Sequence, residues 1–373
     1  MTASPAAIAV AFGGPSPEHD VSVLTGLQAA RELGRVGRSV TGLYWSKTGD
    51  WYQVDPALEA TAFVEGVPRG AEPVRLTVGP GGGFASAGGR FGKARPLAAA
   101  VVVNCCHGGP GEDGSLQGAL DLAGMAYTGP TVAGAAVGMD KLAFAGVVEA
   151  AGLPALPRRL LEAGSPDPGF PGPYILKPRF GGSSIGVEVV EDLATARARL
   201  GANPHLRQGA VLEPYRPDLH DLNVGVRSWP GLALSAIEKP VRATASAEIL
   251  GYQDKYGGGE GMASAPRELP AALSEALAGT LRDCAMTVAE LCAVRGVARI
   301  DFLADGETLF VNEINTVPGS LARYLWVDPV VPFGQLLDDM VTEALERPAA
   351  RFSAVGADGA VLRAAGSIAG KLG

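Results

Sequence analysis

Residues 299–320, RIDFLADGETLFVNEINTVPGS, limit the possible folds of this chain more than any other stretch. They predict a β-hairpin, because two runs rich in apolar residues, VARIDFL and TLFVNEIN, flank the turn sequence ADGE. Side chains alternate between the two faces of a strand. Arg299 and Asp301 therefore share one face of the first strand, and Glu313 and Asn315 share one face of the second. Whether these two faces coincide depends on the loop between the strands.

Two forms of this loop lead to opposite outcomes. A two-residue turn at 305–306 would place Asp301 opposite Phe310 and would leave Glu313 on the other face of the hairpin. A loop of three or five residues would instead collect four polar side chains on one face, namely Arg299, Asp301, Glu313 and Asn315. Carboxylate and amide oxygens are preferred ligands of hard divalent cations, so this second arrangement predicts a metal site. A charged hairpin that faces solvent is the alternative.

The composition excludes several classes of protein. With 373 residues the chain is long enough for two or three domains, and its 47% hydrophobic content supports a well-buried core. The formal net charge of −8 argues against a surface that binds nucleic acid. We find neither an apolar run long enough to span a membrane nor a signal peptide. The four cysteines form neither a disulfide framework nor a C-x-x-C metal motif, so we expect a cytoplasmic protein.

Two segments among the first 130 residues have the pattern of a buried strand, a glycine-rich loop and a helix. AIAVAF precedes GGPSPEHD, and LAAAVVVN precedes CCHGGPGEDG. Open α/β sheets bind ligands beyond the carboxyl ends of their strands, and Glu18 and His19 follow such an end. A capping or solvated loop residue is the alternative for each of these two. His107, Glu112 and Asp113 cluster on the second loop. Between the two units, residues 66–95 are rich in glycine and proline and predict a loose surface loop.

A lysine followed by a small-residue loop marks the middle of the chain. In PYILKPRFGGSSIGVEVVED one strand ends at Lys177, the loop GGSSIG follows, and a second strand begins near Val187. Backbone N–H groups, hydroxyls and one cation are what a loop over a polyphosphate would use. The order of the glycines and the lysine differs from that of a Walker-type loop. A flexible hairpin with a solvated lysine is the alternative.

Seven stretches of this chain, in order, resemble the D-alanine–D-alanine ligases of the ATP-grasp superfamily: GGPSPEHDVSVLTG, HGGPGEDGSLQGALDLAGMAYTG, MDK, KPRFGGSSIG, DKY, RIDF and NEINTVPGS. The resemblance covers about residues 6–345. It implies an α/β fold in which a Rossmann-like amino-terminal domain is followed by a two-subdomain ATP-grasp fold. The implied domains are residues 1–130, a central ATP-grasp subdomain at 131–213, and a carboxyl-terminal ATP-grasp subdomain at 214–373.

The resemblance also implies a two-step reaction. ATP phosphorylates the carboxylate of one D-amino acid, and the amine of a second then attacks the acyl phosphate. Two Mg²⁺ ions, or Mn²⁺, would be held by Asp301, Glu313 and Asn315, which requires an odd-length loop around residues 305–307. The residues implied to contact ATP are Lys141, Lys177, Gly182, Ser183, Ser184, Glu213, Lys255 and Asn312.

For the amino-acid substrates, the resemblance implies that Glu18 holds the first ammonium group and forms a hydrogen-bonded group with Ser183 and Tyr256. Tyr256 favours an amine over a hydroxy acid as the acceptor. The residues implied to act in catalysis are Glu18, Ser183, Tyr256, Arg299 and Gly319. The residues implied to contact the amino acids are Glu18, His107, Arg299, Gly319 and Tyr324.

One departure from the family bears on the acceptor. The family commonly has a serine nine residues after the asparagine at position 315, where it binds the second substrate's carboxylate, and this chain has Tyr324 there. A ligase that joins a different amino-acid pair is therefore the alternative to D-alanyl-D-alanine synthesis. A nicotinamide-dependent oxidoreductase is a second alternative, although the G-x-G-x-x-G fingerprint is missing. We further expect a homodimer that binds small molecules and neither nucleic acid nor membrane.

Overall fold

The computed structural model describes residues 6–88, 94–241, 266–349, 352–368 and 371. Two of the expected site residues, Lys255 and Tyr256, lie outside the described residues. The described part is an α/β protein with three sheets, of seven, four and five strands. None of its helices combines the length and the apolar character that a membrane span needs. Its four cysteines are all free thiols in buried positions.

The first sheet is built around the two strands that the sequence predicts as buried. All six residues of Ile8–Gly13 are buried, and this strand pairs in parallel with strands on both of its sides. In chain order the strands of this sheet are β1 (Ile8–Gly13), β2 (Val40–Trp45), β3 (Trp51–Val54), β4 (Glu72–Thr77), β5 (Gly83–Ser86), β6 (Val101–Asn104) and β7 (Ala126–Tyr127). Their spatial order in the sheet is β5-β4-β3-β2-β1-β6-β7.

The expected loose loop at residues 66–95 is wrong for much of its length. β4 and β5 form an antiparallel hairpin within that range, and β4 also pairs with β3, so the hairpin extends the first sheet. Val74 and Phe84 are buried on it, at 4% and 2% exposure. The glycine and proline content predicted a loop because these residues generally weaken strands. Here the segment pairs with the sheet, and the burial of Val74 and Phe84 favours that pairing.

The second and third sheets carry the hairpins that the sequence singles out. The second contains β8 (Arg159–Leu161), β9 (Tyr174–Pro178), β10 (Glu188–Val190) and β11 (Ala210–Pro214). The third contains β12 (His220–Arg227), β13 (Ala233–Pro240), β14 (Arg267–Glu268), β15 (Val297–Ala304) and β16 (Leu309–Asn315). β9 and β10 pair antiparallel across the GGSSIG loop, which confirms the hairpin expected there.

Eight α-helices are described, and two of them position the site. α1 begins directly after Glu18 and has a buried stripe against the first sheet, while the Phe333–Glu346 helix returns from the end of the chain to pack beside it. The helices are α1 (His19–Arg35), α2 (Ser115–Ala123), α3 (Val132–Met139), α4 (Lys141–Ala150), α5 (Leu193–Ala202), α6 (Glu275–Leu291), α7 (Phe333–Glu346) and α8 (Ala360–Ala364).

The register of the β15–β16 hairpin differs from both sequence expectations. Ala304 pairs with Leu309 across an even-length loop, so the odd-length loop is wrong. A β-bulge then shifts the register by one residue, because Phe302 pairs with Val311 whereas Asp301 pairs with Glu313. A bulge inserts one extra residue and turns the following side chains to the opposite face. The expected outcome, two carboxylates on one face, is therefore confirmed, but its cause is the bulge and not the loop.

Candidate active site

The bulged hairpin brings together the four polar residues that the sequence predicts. Arg299 pairs with Asn315 and Asp301 pairs with Glu313, so all four lie on one face. The Arg299 guanidinium donates two hydrogen bonds to the Asp301 carboxylate, both of 2.6 Å, and Asn315 Nδ2 donates to Asp301 Oδ2 at 3.0 Å. Arg299 and Asp301 are buried, while the Glu313 side chain is 25% exposed toward the cleft. The face is a compact charged cluster in which the carboxylate of Glu313 is partly exposed.

The chemistry of this cluster fits a divalent cation. Asp301 and Glu313 supply carboxylate oxygens, and Asn315 donates through Nδ2, so its Oδ1 is the atom that could bind a cation. A carboxylate has about four lone-pair sites, so Asp301 keeps acceptor capacity after bonding to Arg299 and Asn315. Among the described residues no group of three or more His, Cys, Asp or Glu side chains could hold a metal. A cation here would therefore rely on two acids, one amide and oxygens of the substrate.

A second buried network lies where the hairpin meets the second sheet. Lys177 Nζ donates to Glu213 Oε2 at 2.8 Å and lies 3.3 Å from Asn312 Oδ1, and Arg158 Nε donates to Glu213 Oε1 at 2.6 Å. Asn312 is the extra residue of the bulge, and its carbonyl oxygen accepts from Arg158 at 3.0 Å. Burial works against the charged form of Glu213, but Arg158 and Lys177 outweigh it and lower the pKa of this carboxyl to about 2. The network joins the second sheet to the third.

The GGSSIG loop covers the site on the side opposite the hairpin. Ser183 Oγ donates to Glu18 Oε1 at 2.5 Å, which confirms that these two residues meet. A Cβ on Gly182 would lie 2.9 Å from Glu18 Oε2, so any larger residue there would require the Glu18 carboxylate to shift. Lys141 donates to the carbonyl of Gly181, and its Nζ lies 3.9 Å from Glu313 Oε2. Burial lowers the pKa of Lys141, and the carboxylate of Glu313 opposes that change.

His107 is held between two segments and is neutral in this setting. Its Nδ1 lies 2.6 Å from the carbonyl oxygen of Val317, and its Nε2 lies 2.8 Å from Thr25 Oγ1. A carbonyl oxygen only accepts, so Nδ1 carries the proton and Nε2 accepts from the threonine hydroxyl. Burial lowers the pKa of His107 to about 4. Both ring nitrogens bond to protein atoms, so the contact with substrate implied for His107 would be made by the ring itself.

Tyr324 stands beside Arg299, at the place where the family commonly has a serine. Its hydroxyl lies 3.5 Å from Arg299 Nη1, and the Arg267 guanidinium lies 4.3 Å from the centroid of the Tyr324 ring. Arg267 also donates to Glu238 Oε1 at 2.8 Å, and Asn223 Nδ2 donates to Glu238 Oε2 at 3.0 Å. Burial raises the pKa of Tyr324, so the phenol stays protonated. The surface on this side of Arg299 is aromatic and charged, and the Tyr324 side chain is much larger than the serine side chain common in the family.

Two adjoining cavities run along the hairpin face. The larger, of about 130 Å³, contains Lys177 and Glu213, and the smaller, of about 40 Å³, contains His107 and Arg299. The expected residues that line the larger are Lys141, Lys177, Gly182, Ser184, Glu213, Asp301, Asn312 and Glu313. Those that line the smaller are Glu18, His107, Lys141, Gly182, Ser183, Arg299, Glu313, Asn315 and Gly319. Fourteen of the expected positions therefore line these two adjoining cavities. Tyr324 lies next to them, where its hydroxyl contacts Arg299.

Sequence reasoning missed three residues of the site. Arg158 is one of two adjacent arginines in an extended stretch, and nothing in that pattern distinguishes the one that turns toward Glu213. Thr25 is one of many small residues on α1. Arg267 lies in a stretch without a motif, and nothing beside it in the sequence points to Tyr324. The sequence places Glu112 on a glycine-rich loop but indicates no role for it, although it is buried at 8% exposure against the site.

The comparisons with known proteins agree with this geometry. Residues 7–130 match the family model described as the D-ala D-ala ligase N-terminus, and residues 136–342 match that of the D-ala D-ala ligase C-terminus. A protein named D-alanine--D-alanine ligase from Bradyrhizobium sp. (strain ORS 278) is 31% identical over 364 residues, which cover 94% of this chain and 98% of that protein. A match over nearly the whole length leaves the oxidoreductase alternative without support.

Solved structures share the fold. The D-alanine-D-alanine ligase from Coxiella burnetii aligns with a TM-score of 0.76 at 23% identity, over 92% of this chain and 95% of that one. The D-Ala:D-Ser ligase from Enterococcus faecalis aligns with a TM-score of 0.71 at 21% identity, over 91% and 100%. The expected ATP-grasp fold is confirmed. Both family models and a relative above 30% identity match this chain over most of its length, and the chain therefore belongs to the D-alanine–D-alanine ligase family, whose members use ATP and a divalent metal.

Proposed function

We propose that this protein joins two molecules of D-alanine to D-alanyl-D-alanine, with ADP and phosphate as the other products, and so supplies a peptidoglycan precursor. One observation carries the proposal. The bulged hairpin places Arg299, Asp301, Glu313 and Asn315 on one face, and this face lines two adjoining cavities together with the GGSSIG loop and Glu18. Phosphoryl transfer to a carboxylate gathers several negative charges at one point, and this face supplies one guanidinium together with the ligands for the cations that would neutralise them.

The nucleotide would occupy the larger cavity. Lys141 and Lys177 supply cations for its phosphates, and Ser184 and Gly182 line the same space. Asp301, Glu313 and Asn315 would hold two Mg²⁺ ions, or Mn²⁺, which when bound neutralise charge on the transferring phosphoryl group. Glu213 would lie near the adenine and ribose, because it sits at the end of β11 on the wall of the same cavity.

The amino acids would meet in the smaller cavity. Glu18 would bind the ammonium group of the first D-alanine, and the Ser183 hydroxyl, which donates to Glu18, orients that carboxylate. Arg299 would stabilise the negative charge of the acyl phosphate and of the tetrahedral species, since its guanidinium lines the cavity. The N–H of Gly319 would donate to the oxyanion that forms when the second amine attacks. Tyr256 stays a predicted member of this group, and Lys255 stays a predicted contact of an ATP phosphate.

A direct assay tests the proposal. The purified chain is incubated with ATP, Mg²⁺ and D-alanine alone, and phosphate release and product mass are measured. We expect one phosphate for each D-alanyl-D-alanine formed, and no product without Mg²⁺. Absence of dipeptide from D-alanine alone, together with product from a mixture of D-alanine and another amino acid, would exclude the D-alanine acceptor and retain the ligase.

Tyr324 favours a second candidate, a ligase with a different acceptor. A phenol replaces the small hydroxyl at this position, and Arg267 and Glu238 surround it. The D-Ala:D-Ser ligase from Enterococcus faecalis has the same fold, so the fold alone does not decide the acceptor. Competition between D-alanine, D-serine and larger D-amino acids as acceptors would separate the two candidates by product mass.

Replacing Tyr324 by serine is expected to change acceptor selectivity. The substitution opens space beside Arg299 and removes the ring under Arg267. We expect the ratio of kcat/KM values between a large and a small acceptor to rise by about tenfold, because differences of about 1–3 kcal/mol accompany such changes in pocket size. KM for ATP should stay within about twofold. Unchanged acceptor ratios would show that Tyr324 does not border the acceptor.

A cytoplasmic homodimer accompanies the proposal. The subunit would find ATP and free D-amino acids in the cytoplasm, and the family resemblance supports the dimer. Sedimentation equilibrium of the purified chain tests the oligomeric state directly.

A further inference from the structure

The turn that carries Gly319 has an unusual backbone. Three successive residues that are not glycine, Ser320, Leu321 and Ala322, have φ values of 49°, 50° and 50°. L-residues seldom adopt this left-handed region, because Cβ comes too close to the following carbonyl oxygen. Such a run persists only where surrounding contacts hold it, and strained backbone of this kind concentrates at functional sites.

Side chains of the amino-terminal region hold this turn at Val317. The carboxylate of Glu112 accepts from the N–H of Val317 at 2.8 Å and from the hydroxyl of Thr316 at 3.2 Å. His107 donates from Nδ1 to the carbonyl oxygen of Val317 at 2.6 Å. Both backbone polar groups of one residue are therefore bonded by two side chains of a single loop.

Thr25 on α1 holds the turn from its other end. Its Oγ1 accepts from the N–H of Ser320 at 3.0 Å, and the same hydroxyl donates to His107 Nε2. Thr25 is 1% exposed. Gly319 therefore lies between two anchored positions, Val317 and Ser320. We call Thr25, His107 and Glu112 the clasp.

Glu112 is the member of the clasp that is least favourable to bury. Burial, with the neighbouring charge of Glu18 as a second cause, raises the pKa of Glu112 to about 7. Its other oxygen accepts from the N–H of Gly108 at 3.0 Å, so the carboxylate bonds its own loop and the turn at once. A neutral apolar side chain would avoid the cost of burial but could not make these bonds. These bonds indicate that the carboxylate of Glu112 serves to hold the turn in position.

We propose that Glu112 and Thr25 are positioning residues that hold the N–H of Gly319 against the reacting carbonyl through the clasp. The inference rests on the proposed ligase function and adds to it two residues that need not contact substrate. A donor to a developing oxyanion is effective only within a narrow range of distances, and a displacement of about 1 Å lowers rates by about 10²-fold. The clasp fixes the amino-terminal region, which contains Glu18, relative to that donor.

Two substitutions with one rescue test the inference. Glu112→Gln places an amide N–H₂ against either the N–H of Gly108 or that of Val317, and Thr25→Val removes the hydroxyl at constant shape. Each is expected to lower kcat for dipeptide formation by about 10- to 100-fold while KM for ATP stays within about twofold. Thr25→Ser retains the hydroxyl and should restore kcat to within about threefold of the wild type.

Glu343→Gln is the matched control. Glu343 is also a buried carboxylate, and its Oε2 accepts from the N–H of Gly296 and the hydroxyl of Ser228, both at 2.7 Å, away from the two cavities. It should lose thermal stability comparably to Glu112→Gln but keep the wild-type kcat. Equal kcat in Glu112→Gln, Thr25→Val and Glu343→Gln would overturn the inference, as would failure of Thr25→Ser to rescue. If the wild-type chain forms no peptide from any amino-acid pair, the proposed function fails and the inference with it.

Discussion

Replacing Glu313 by glutamine is expected to lower kcat by at least about 10³-fold while the protein remains folded. Glu313 contributes the partly exposed carboxylate of the hairpin face, and its Oε2 is 3.9 Å from Lys141 Nζ. A bound cation stabilises a transferring phosphoryl group by several kcal/mol, and about 4 kcal/mol corresponds to about 10³-fold at about 1.36 kcal/mol per tenfold. Phosphate release at saturating ATP and D-alanine measures the effect.

Two controls make this result specific to the metal-binding face. Glu307→Gln neutralises an exposed acid in the turn of the same hairpin and should leave kcat unchanged. The far-ultraviolet circular dichroism of Glu313→Gln should match that of the wild type, because Glu313 is only partly buried. Retained turnover in Glu313→Gln would overturn the assignment of the metal ligands.

Replacing Glu213 by glutamine is expected to lower the free energy of unfolding by about 3–5 kcal/mol at pH 7. The substitution leaves the guanidinium of Arg158 and the ammonium of Lys177 buried without their carboxylate. Removing one partner from a buried ion pair is costly because the remaining charge has neither water nor a counterion. Urea unfolding followed by tryptophan fluorescence measures the difference between the two proteins.

The same substitution is expected to change the dependence of stability on pH. The folded protein holds the pKa of Glu213 at about 2, below the ordinary value of 4.5, so the unfolded chain binds this proton more readily. The contribution of Glu213 is fully present above about pH 4.5 and is lost as pH falls toward 2. It amounts to about 3 kcal/mol, because each pKa unit corresponds to about 1.36 kcal/mol. The stability difference between wild type and Glu213→Gln should therefore narrow below pH 4.5.

Asp218→Asn serves as the control for this experiment. Asp218 accepts from Arg216 at 2.5 Å, but the pair is on the surface, where solvent screens it. We expect no measurable change in the free energy of unfolding. A loss equal to that of Glu213→Gln would show that burial does not distinguish the two pairs. A constant difference between Glu213→Gln and wild type from pH 7 to pH 3 would contradict the lowered pKa.

Local patterns in the sequence predicted much of the chemistry. Alternation along β15 and β16 identified Arg299, Asp301, Glu313 and Asn315 as candidate partners, because side-chain direction along a strand has a period of two. The lysine at the end of β9 and the GGSSIG loop predicted a hairpin over a cleft, and the glycine-rich turn after β1 placed Glu18 near a ligand. Each of these inferences depends on residues that are neighbours in the chain.

Contacts between distant segments could not be predicted in this way. Arg158 reaches Glu213, Thr25 reaches Ser320, and Glu112 reaches Val317, at separations of 55, 295 and 205 residues. The sequence around each of these side chains does not reveal its partner, because the partner is supplied only by the packing of another element. The hairpin at 72–86 was missed for a related reason, since pairing with β3 outweighs the local composition of glycine and proline.

The sequence by itself determined which residues carry the chemistry of the hairpin, because residue type and alternation are local properties. The tertiary structure decided how they meet. Ala304 pairs with Leu309 across an even-length loop, and in that register Glu313 would lie opposite Ile300, away from Asp301. The bulge at Asn312 turns Glu313 onto the face of Asp301, and the Asn312 carbonyl oxygen there accepts a hydrogen bond from Arg158, which directly precedes β8 of the second sheet. Strand packing and that long-range bond, rather than the turn sequence, set the register.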